Sequence, residues 1–202
     1  MKKLLSILLA LFLFGCHPSV YREISDKSIS QRTDVFRGIS NESDVPAGLD
    51  GLVIKAEIKT HLEGFYILES KKSLHGKPKY PIVINIDGQV VTWEMPGIRE
   101  DTPMYDDQGR VIPEGGKGMR YRIEKWIALA PGRHKLAIIL PGDDYIKDME
   151  ITLLAGTHNT LEFKPIYAPG GIGHHRNFLH GIKNLDVILN GQVGERDRSN
   201  IN

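Results

Sequence analysis

Histidines near the carboxyl end of the chain are the residues whose type and spacing best suit chemistry. His174 and His175 follow the glycine-rich run Gly170 to Gly173, and His180 lies five residues further on. Neutral imidazole is a common ligand for zinc, copper and nickel, and glycines allow a loop to wrap around an ion. These three histidines are therefore candidate metal ligands. The alternative is a polar surface loop, because adjacent histidines on an extended chain point in opposite directions and no carboxylate lies at a recognisable ligand spacing.

Trp126 is a candidate for partner binding because it interrupts the polar face of a predicted strand. The segment Met119 to Leu129 alternates with a period of two, which places Arg122 and Trp126 on the same side. A tryptophan beside an arginine is suited to stacking on a carbohydrate or to contacting a protein. The alternative is an ordinary aromatic side chain covered by a loop.

A long stretch from Met95 to Gly118 is rich in glycine and proline and carries Tyr105, Asp106 and Asp107. Loops of this length often bind a ligand, so these three residues form a candidate binding segment. The alternative is a second hairpin that turns at Asp106 to Gly109. The stretch lacks the ordered oxygen ligands of a helix-loop-helix calcium site, and it lacks the hydroxyl residue and the helix of a phosphate-binding loop.

The amino-terminal residues have the pattern of a secretory signal. A pair of lysines precedes an apolar run from Leu4 to Phe14, which is too short to span a bilayer permanently. Cys16, the only cysteine of the chain, follows this run. We therefore predict that residues 1–15 are a cleaved targeting segment. With one cysteine no disulfide can form within the chain, so the fold must be held by its core.

The sequence Leu13-Phe14-Gly15-Cys16 resembles the lipobox of bacterial lipoproteins, although Phe14 is bulkier than the usual residue. In that family the cysteine is diacylated, exposed by cleavage and then usually acylated again, with palmitate among the chains. The resemblance implies that Cys16 is lipidated, and acyl chains of this number anchor a protein firmly. His17 is not the aspartate associated with inner-membrane retention, so the resemblance favours the outer membrane, with the folded part facing the periplasm.

Composition favours a globular domain with many turns. Hydrophobic residues make up 41% of the chain and charged residues 25%, with 21 glycines and 11 prolines. Without the signal segment the chain has 24 basic and 25 acidic residues, so no basic excess suggests nucleic acid. No arrangement of nucleophile, base and orienting residue is recognisable. We therefore predict no catalytic residue and no cofactor, and we expect a protein that is not an enzyme.

Period-two alternation runs through most of the remaining chain. Leu129 to Pro165 predicts three strands separated by short turns, and Leu52 to Thr60 predicts a half-buried strand. Tyr80 to Glu94 predicts a hairpin that turns at Asp87-Gly88, and the apolar strand before Asn190-Gly191 repeats that pattern. Short turns of this kind predict antiparallel neighbours.

These patterns predict an all-β fold, an antiparallel β-sandwich of about seven to nine strands. We expect the sandwich at residues 49–167, after a flexible tether at 16–48 that begins with the lipidated cysteine. Residues 168–202 would form the Gly/His loop, a final strand and a polar tail. The competing interpretation of the tether is that its segment Val35 to Ile39 docks on the domain.

The segment Ile82 to Pro165 resembles the small surface-layer β-sandwich modules of the PEGA kind, through its Asp-Gly-Gln turn and its later Pro-Gly and Ala-Gly turns. The resemblance covers 84 of the 202 residues. It implies a binding or scaffolding module, so we expect a lipid-anchored envelope protein whose sandwich binds a protein or glycan partner. The alternative is a metal-binding or metal-dependent periplasmic protein that uses His174, His175 and His180.

Overall fold

The computed structural model describes residues 27, 29, 32–171 and 174–193, and this part of the chain is all-β. It contains no helix of seven or more residues, and three short 3-10 turns lie at residues 42–44, 141–143 and 178–180. The predicted all-β class is therefore confirmed. The strands are β1 (Phe36–Ile39), β2 (Asp50–Thr60), β3 (Lys79–Ile86), β4 (Gln89–Thr102), β5 (Gly116–Leu129), β6 (Gly132–Leu140), β7 (Tyr145–Leu153), β8 (His158–Tyr167), β9 (Ile182–Leu189) and β10 (Gln192–Val193).

The strands form one mixed sheet in the order β10-β9-β8-β2-β5-β4-β3-β6-β7, and β1 pairs with β5. The pair β2 and β8 is parallel, with Gly51 beside His158 and Ala56 beside Phe163. The other pairs of the described strands are antiparallel. The prediction of a purely antiparallel sheet is therefore wrong. The strands make a single curled sheet, and the predicted sandwich is not confirmed.

The turn after β7 explains the difference. β7 pairs with β6, whereas β8 lies between β2 and β9, so the turn joins two strands that are not neighbours. The buried side chain of Asn159 holds this crossing. Its Oδ1 accepts the backbone N–H of Leu154 at 3.2 Å, and its Nδ2 donates to the carbonyls of Leu154 and Thr157 at 3.3 Å each. A side chain thus satisfies polar groups that a hairpin would have paired.

The curl of the sheet comes from β4. Its first part pairs with β3 and its last part, from Gly97, pairs with β5. The curl brings β7 close to β9, and side chains bridge them. The hydroxyl of Tyr145 bonds Oδ1 of Asn184 at 2.9 Å, and Nζ of Lys147 donates to the carbonyl of Leu185 at 2.9 Å.

Alternate residues of the long strands fill one apolar core, as the period of two predicts. Each large aliphatic or aromatic side chain buried in this way contributes about 1.5 to 3 kcal/mol. The most deeply buried members include Leu52, Ile54 and Ile58 of β2, Ile82, Ile84 and Ile86 of β3, and Tyr121, Ile127 and Leu129 of β5.

Two hairpins share one turn chemistry. Asp87 and Gly88 have φ of 48° and 90°, and Asn190 and Gly191 have φ of 52° and 80°. Two successive residues with positive φ are the mark of the type I′ turn that matches strand twist. The hairpin predicted at Asp87-Gly88 is confirmed, and the similar turn at Asn190-Gly191 joins β9 to β10.

The segment before β2 packs on the sheet. The backbone N–H groups of Val35 and Phe36 donate to Oε1 of Gln89 at 2.7 and 3.0 Å, and Nε2 of Gln89 donates to the carbonyl of Phe36 at 2.7 Å. The docking of Val35 to Ile39, which the sequence left open, is therefore the observed arrangement. The predicted signal segment and Cys16 lie outside the described residues.

Candidate metal centre

Two strands place a pair of histidines at the ends of an irregular segment. His61 directly follows β2, and His75 lies four residues before β3. Glu69 lies between them on the segment. Because His61 directly follows one strand of the core and His75 lies close to the start of the next, both ends of the segment are fixed, and the carboxylate is folded back between them.

The ligand atoms of these three residues converge. One atom of each, from His61, Glu69 and His75, lies within 4.8 Å of the others. Nε2 of His61 lies 2.9 Å from Nδ1 of His75 and 3.7 Å from Oε1 of Glu69. The three side chains are 4%, 13% and 12% exposed, so the cluster is nearly shielded from water. We call this cluster the metal centre.

The remaining nitrogen of each imidazole faces an oxygen acceptor. Nδ1 of His61 lies 3.0 Å from the carbonyl oxygen of Leu62, which can only accept, so this nitrogen donates. Nε2 of His75 lies 3.3 Å from Oδ1 of Asp143, close enough for an ion pair although not aligned for a hydrogen bond. Histidines that bind metal ions usually present their second nitrogen to a carbonyl or a carboxylate in this way.

The two carboxylate oxygens of Glu69 differ in their hydrogen bonding. Its Oε2 accepts the backbone N–H of Gly64 at 3.1 Å. Its Oε1 is buried and has no hydrogen-bond partner among the residues that the structure describes. Burial would raise the pKa of Glu69, but a hydrogen bond from Ser73 and the two neighbouring imidazoles lower it, so the side chain is a carboxylate. The unused oxygen therefore carries negative charge toward the imidazoles.

Asp143 supports the centre from the turn after β6. The side chain accepts the hydroxyl of Tyr80 and, at 2.9 Å, the backbone N–H of Ile182. Burial raises the pKa of Asp143, but His75, Tyr80 and Ile182 outweigh it and keep the group ionised. Burial lowers the pKa of His75, whereas the neighbouring carboxylate of Asp143 raises it and prevails. Asp143 thus links the turn after β6 to β3 and β9, and it holds His75 in place from behind the centre.

Aromatic rings cover the centre on the solvent side. The ring of Phe65 stacks on that of His61 at 5.5 Å, and the ring of Tyr66 meets His61 edge-on at 5.1 Å. The hydroxyl of Tyr66 donates to the carbonyl of Leu179 at 2.9 Å and lies 3.2 Å from Nδ1 of His180. These contacts bring one predicted ligand, His180, to the edge of the centre but not into it.

The other two predicted metal ligands lie elsewhere. His174 and His175 are exposed, just after the residues that are not described, and the backbone N–H of His174 donates to the carbonyl of Gly171 at 3.2 Å. Within residues 32–171 and 174–193, the potential ligands that converge are His61, Glu69 and His75. His174, His175 and His180 are not part of this group. The sequence reasoning missed His61, Glu69 and His75, because their spacing follows no local motif.

The predicted binding residues divide between two surfaces. Arg122 is exposed and lines an open groove of about 810 Å³ on the polar face of β2, β5 and β8, where it pairs with Glu57 at 2.6 Å. Trp126 is half-buried on the same strand and lines a shallower pocket with His158 and Glu42. The structure thus places Arg122 and Trp126 in different pockets.

The acidic loop segment forms a hairpin turn. Oδ1 of Asp106 accepts the backbone N–H groups of Gln108 and Arg110 at 2.9 Å each, and its Oδ2 accepts Nε of Arg110 at 2.7 Å. Tyr105 pairs with Val111 across the turn, while the side chains of Tyr105 and Asp107 are exposed. The alternative of a hairpin at Asp106 to Gly109 is therefore the observed structure, and Asp106 is engaged in the turn.

No family model, no curated protein and no solved structure matches this chain. Among the described residues no helix is long and apolar enough to cross a membrane.

Proposed function

We propose that this chain is a lipid-anchored protein of the bacterial envelope that binds one divalent transition-metal ion at the metal centre. The observation that supports the proposal is the convergence of two imidazole nitrogens and one carboxylate oxygen. The other polar atoms of His61 and Glu69 are hydrogen-bonded to the backbone, and the other nitrogen of His75 faces the carboxylate of Asp143. Two histidines and one glutamate are a known donor set for zinc, with the fourth position left for water. Copper and nickel accept similar donors.

Without an ion, Nε2 of His61 and Nδ1 of His75 share one hydrogen bond at 2.9 Å, which leaves Oε1 of Glu69 without a donor in the described part of the chain. Nδ1 of His61 donates to the carbonyl of Leu62, so in the neutral ring the lone pair is on Nε2. It faces another imidazole nitrogen and a buried carboxylate oxygen that has no donor within the described part of the chain. An unsatisfied buried oxygen is destabilising by about 1 to 3 kcal/mol or more. One cation accepts electron pairs from all three atoms together.

The placement of the ligands suggests what the ion does. It would join the residue after β2, the middle of the irregular segment and a residue just before β3. Its role in this proposal is structural, since it closes the segment over the edge of the sheet. In this proposal the protein is not an enzyme. Its location in the envelope is inferred from the resemblance of residues 13–16 to a lipobox.

The test is the metal content of the full chain, purified from membranes in detergent without a histidine tag. We expect about one zinc per chain, with loss of the ion in the double variant His61→Gln, His75→Gln. The matched control is His174→Gln, His175→Gln, which removes two exposed histidines and should keep the ion. At a free ion concentration 100 times Kd, binding should stabilise the fold by about 2.7 kcal/mol. Equal metal content in both double variants, or none in the parent, contradicts the proposal.

A second candidate function is the binding of a protein or glycan partner in the groove that contains Arg122. The groove is favoured because charged side chains of both signs line it, among them Lys55, Glu57, Arg122 and Lys164. Cross-linking in whole envelopes tests this function with Arg122→Glu and the control Lys79→Glu, which changes an exposed lysine outside the groove. Recovery of the same partners with both variants, or of no reproducible partner, would count against it.

A further inference from the structure

The irregular segment between His61 and His75 contains a turn whose central side chains are apolar although they face solvent. The backbone N–H of Glu69 donates to the carbonyl of Tyr66 at 3.1 Å, which places Ile67 and Leu68 at the two central positions of a β-turn. These side chains are 100% and 95% exposed. Central turn positions normally hold Gly, Pro, Asn, Asp or Ser. Two fully exposed aliphatic residues therefore need a reason other than the turn.

The apolar turn lies next to aromatic residues at its base. Phe65 and Tyr66 are about half-exposed, and they pack on His61 on their inner side. The hydroxyl of Tyr66 is fixed by Leu179. We call residues 65–68 the apolar tip. Ring contacts and hydrogen bonds hold the base of the tip, which reduces the conformational entropy that the tip loses on binding.

A second turn beside the tip carries positive charge. The backbone N–H of Ser73 donates to the carbonyl of Ser70 at 2.9 Å, which places Lys71 and Lys72 at the centre of that turn. Both lysines are exposed, and within the described part of the chain neither forms an ion pair. Glu69, the acidic residue between the two turns, faces the metal centre. The outer surface is thus apolar at the tip and cationic at its side.

We propose that the apolar tip inserts into the surface of an anionic lipid bilayer, with Lys71 and Lys72 at the level of the headgroups. Aliphatic residues beyond an aromatic base match the order of a membrane interface, where aromatic rings lie at headgroup depth and aliphatic side chains reach the acyl chains. Lysines near the surface are attracted by anionic lipids. The inference does not depend on an ion in the metal centre.

The shape of the tip favours lipid over a protein partner. A protein partner is usually met by a patch with a buried apolar centre and a polar rim. Here Ile67 and Leu68 project almost fully into solvent, so each would need a fitted pocket on a partner, whereas lipid accommodates a projecting side chain without one. Weak insertion is sufficient for a chain whose Cys16 is anchored, because the anchor gives the tip a high local concentration at the membrane.

The test labels the full chain with an environment-sensitive dye at Leu68→Cys, after reconstitution in vesicles of phosphatidylcholine with or without phosphatidylglycerol. The matched control is Ile98→Cys, since Ile98 is an aliphatic residue of β4 that is 71% exposed. The unsubstituted chain, labelled in parallel, shows whether Cys16 reacts. Flotation of the unsubstituted chain with vesicles reports the acyl anchor separately, so failure of the anchor and failure of insertion are distinguished.

We expect dye at position 68 to emit at shorter wavelength and to be quenched by lipids brominated in their acyl chains, whereas dye at position 98 reports water. The shift should grow with phosphatidylglycerol, and Lys71→Glu with Lys72→Glu should remove that growth. Identical emission at both positions overturns the inference. A shift at position 68 in whole envelopes but not in pure lipid vesicles also overturns it, and it would identify the tip as a protein contact.

Discussion

The ammonium group of Lys59 lies 3.2 Å from the carboxylate of Glu100, although the lysine side chain has no exposure to solvent. The nitrogen also donates to Oγ1 of Thr102 and to the carbonyls of Glu114 and Gly116, at 3.1, 2.8 and 2.7 Å. A buried cation is tolerated only when it is paired and hydrogen-bonded in this way. The contacts fasten the ends of the hairpin between β4 and β5 to β2.

The first prediction concerns stability in acid. Burial raises the pKa of Glu100, but hydrogen bonds from Arg120, Thr102 and Lys59 outweigh it and lower the pKa to about 2. Between that value and the ordinary pKa of 4.5 the unfolded chain binds a proton that the folded chain does not. Glu100 therefore stabilises the fold above pH 4.5, and this contribution is lost as pH falls toward 2. Glu100→Gln should reduce stability at pH 7 by roughly 1 to 2 kcal/mol, a figure discounted for solvent screening.

Urea unfolding at a series of pH values measures this effect. The difference between parent and Glu100→Gln should be full at pH 7 and should vanish near pH 2. Glu124→Gln is the control, because Glu124 forms an exposed pair with Lys55 at 3.5 Å and should change stability by less than about 1 kcal/mol. A constant difference between parent and Glu100→Gln at all pH values would show that the charge of Glu100 is irrelevant.

The second prediction concerns the support of the metal centre. Asp143→Asn removes the charge that faces His75, so the imidazole becomes a weaker electron donor. Loss of such an outer partner commonly reduces metal affinity by about 10- to 100-fold. Competition with a chelator measures Kd, and circular dichroism without metal measures whether the variant is folded. Asp107→Asn, at an exposed turn residue, is the control. Unchanged affinity in a folded Asp143→Asn would contradict the role of Asp143.

Much of the fold could be predicted because most of the strands alternate between apolar and polar residues. Alternation in β2, β3 and β7 marks strands that need only local sequence to be recognised, and Asp87-Gly88 marks its own turn. Pairing is different, because a period of two gives the face that a strand buries but not the neighbour it chooses. The parallel pair of β8 with β2 depends on contacts more than 100 residues apart in sequence.

The metal centre could not be predicted from local sequence either, because its residues come together only through the pairing of the strands. Adjacent histidines such as His174 and His175 attract attention, whereas His61 and His75 are separated by an irregular segment whose path is set by the sheet. The carboxylate that supports the centre, Asp143, is contributed by a turn after β6.

The third prediction concerns the crossing from β7 to β8. Asn159→Ala removes the bonds from this buried side chain to Leu154 and Thr157, and it leaves Nδ2 of Asn190, which donates to Oδ1 of Asn159 at 2.9 Å, without that partner. Loss of this kind destabilises by about 1 to 3 kcal/mol. Urea unfolding should show a lower midpoint with an unchanged slope. Thr157→Ala is the control, since its hydroxyl bonds Leu154 at an exposed position and its loss should have a smaller effect. Equal effects of the two variants would mean that Asn159 does not hold the crossing.

The fourth prediction concerns the anchor proposed at Cys16. Cys16→Ser leaves no thiol to acylate, since the chain has one cysteine. In cells fed with a palmitate analogue, the parent should incorporate the label and the variant should not. Because lipobox cleavage follows acylation, the variant should also keep residues 1–15 and migrate as a larger species. Ser19→Ala, three residues beyond the cysteine, should be labelled and cleaved like the parent. Label in the Cys16→Ser chain, or cleavage without label in the parent, would show that residues 13–16 are not a lipobox and would remove the anchor from the proposed function.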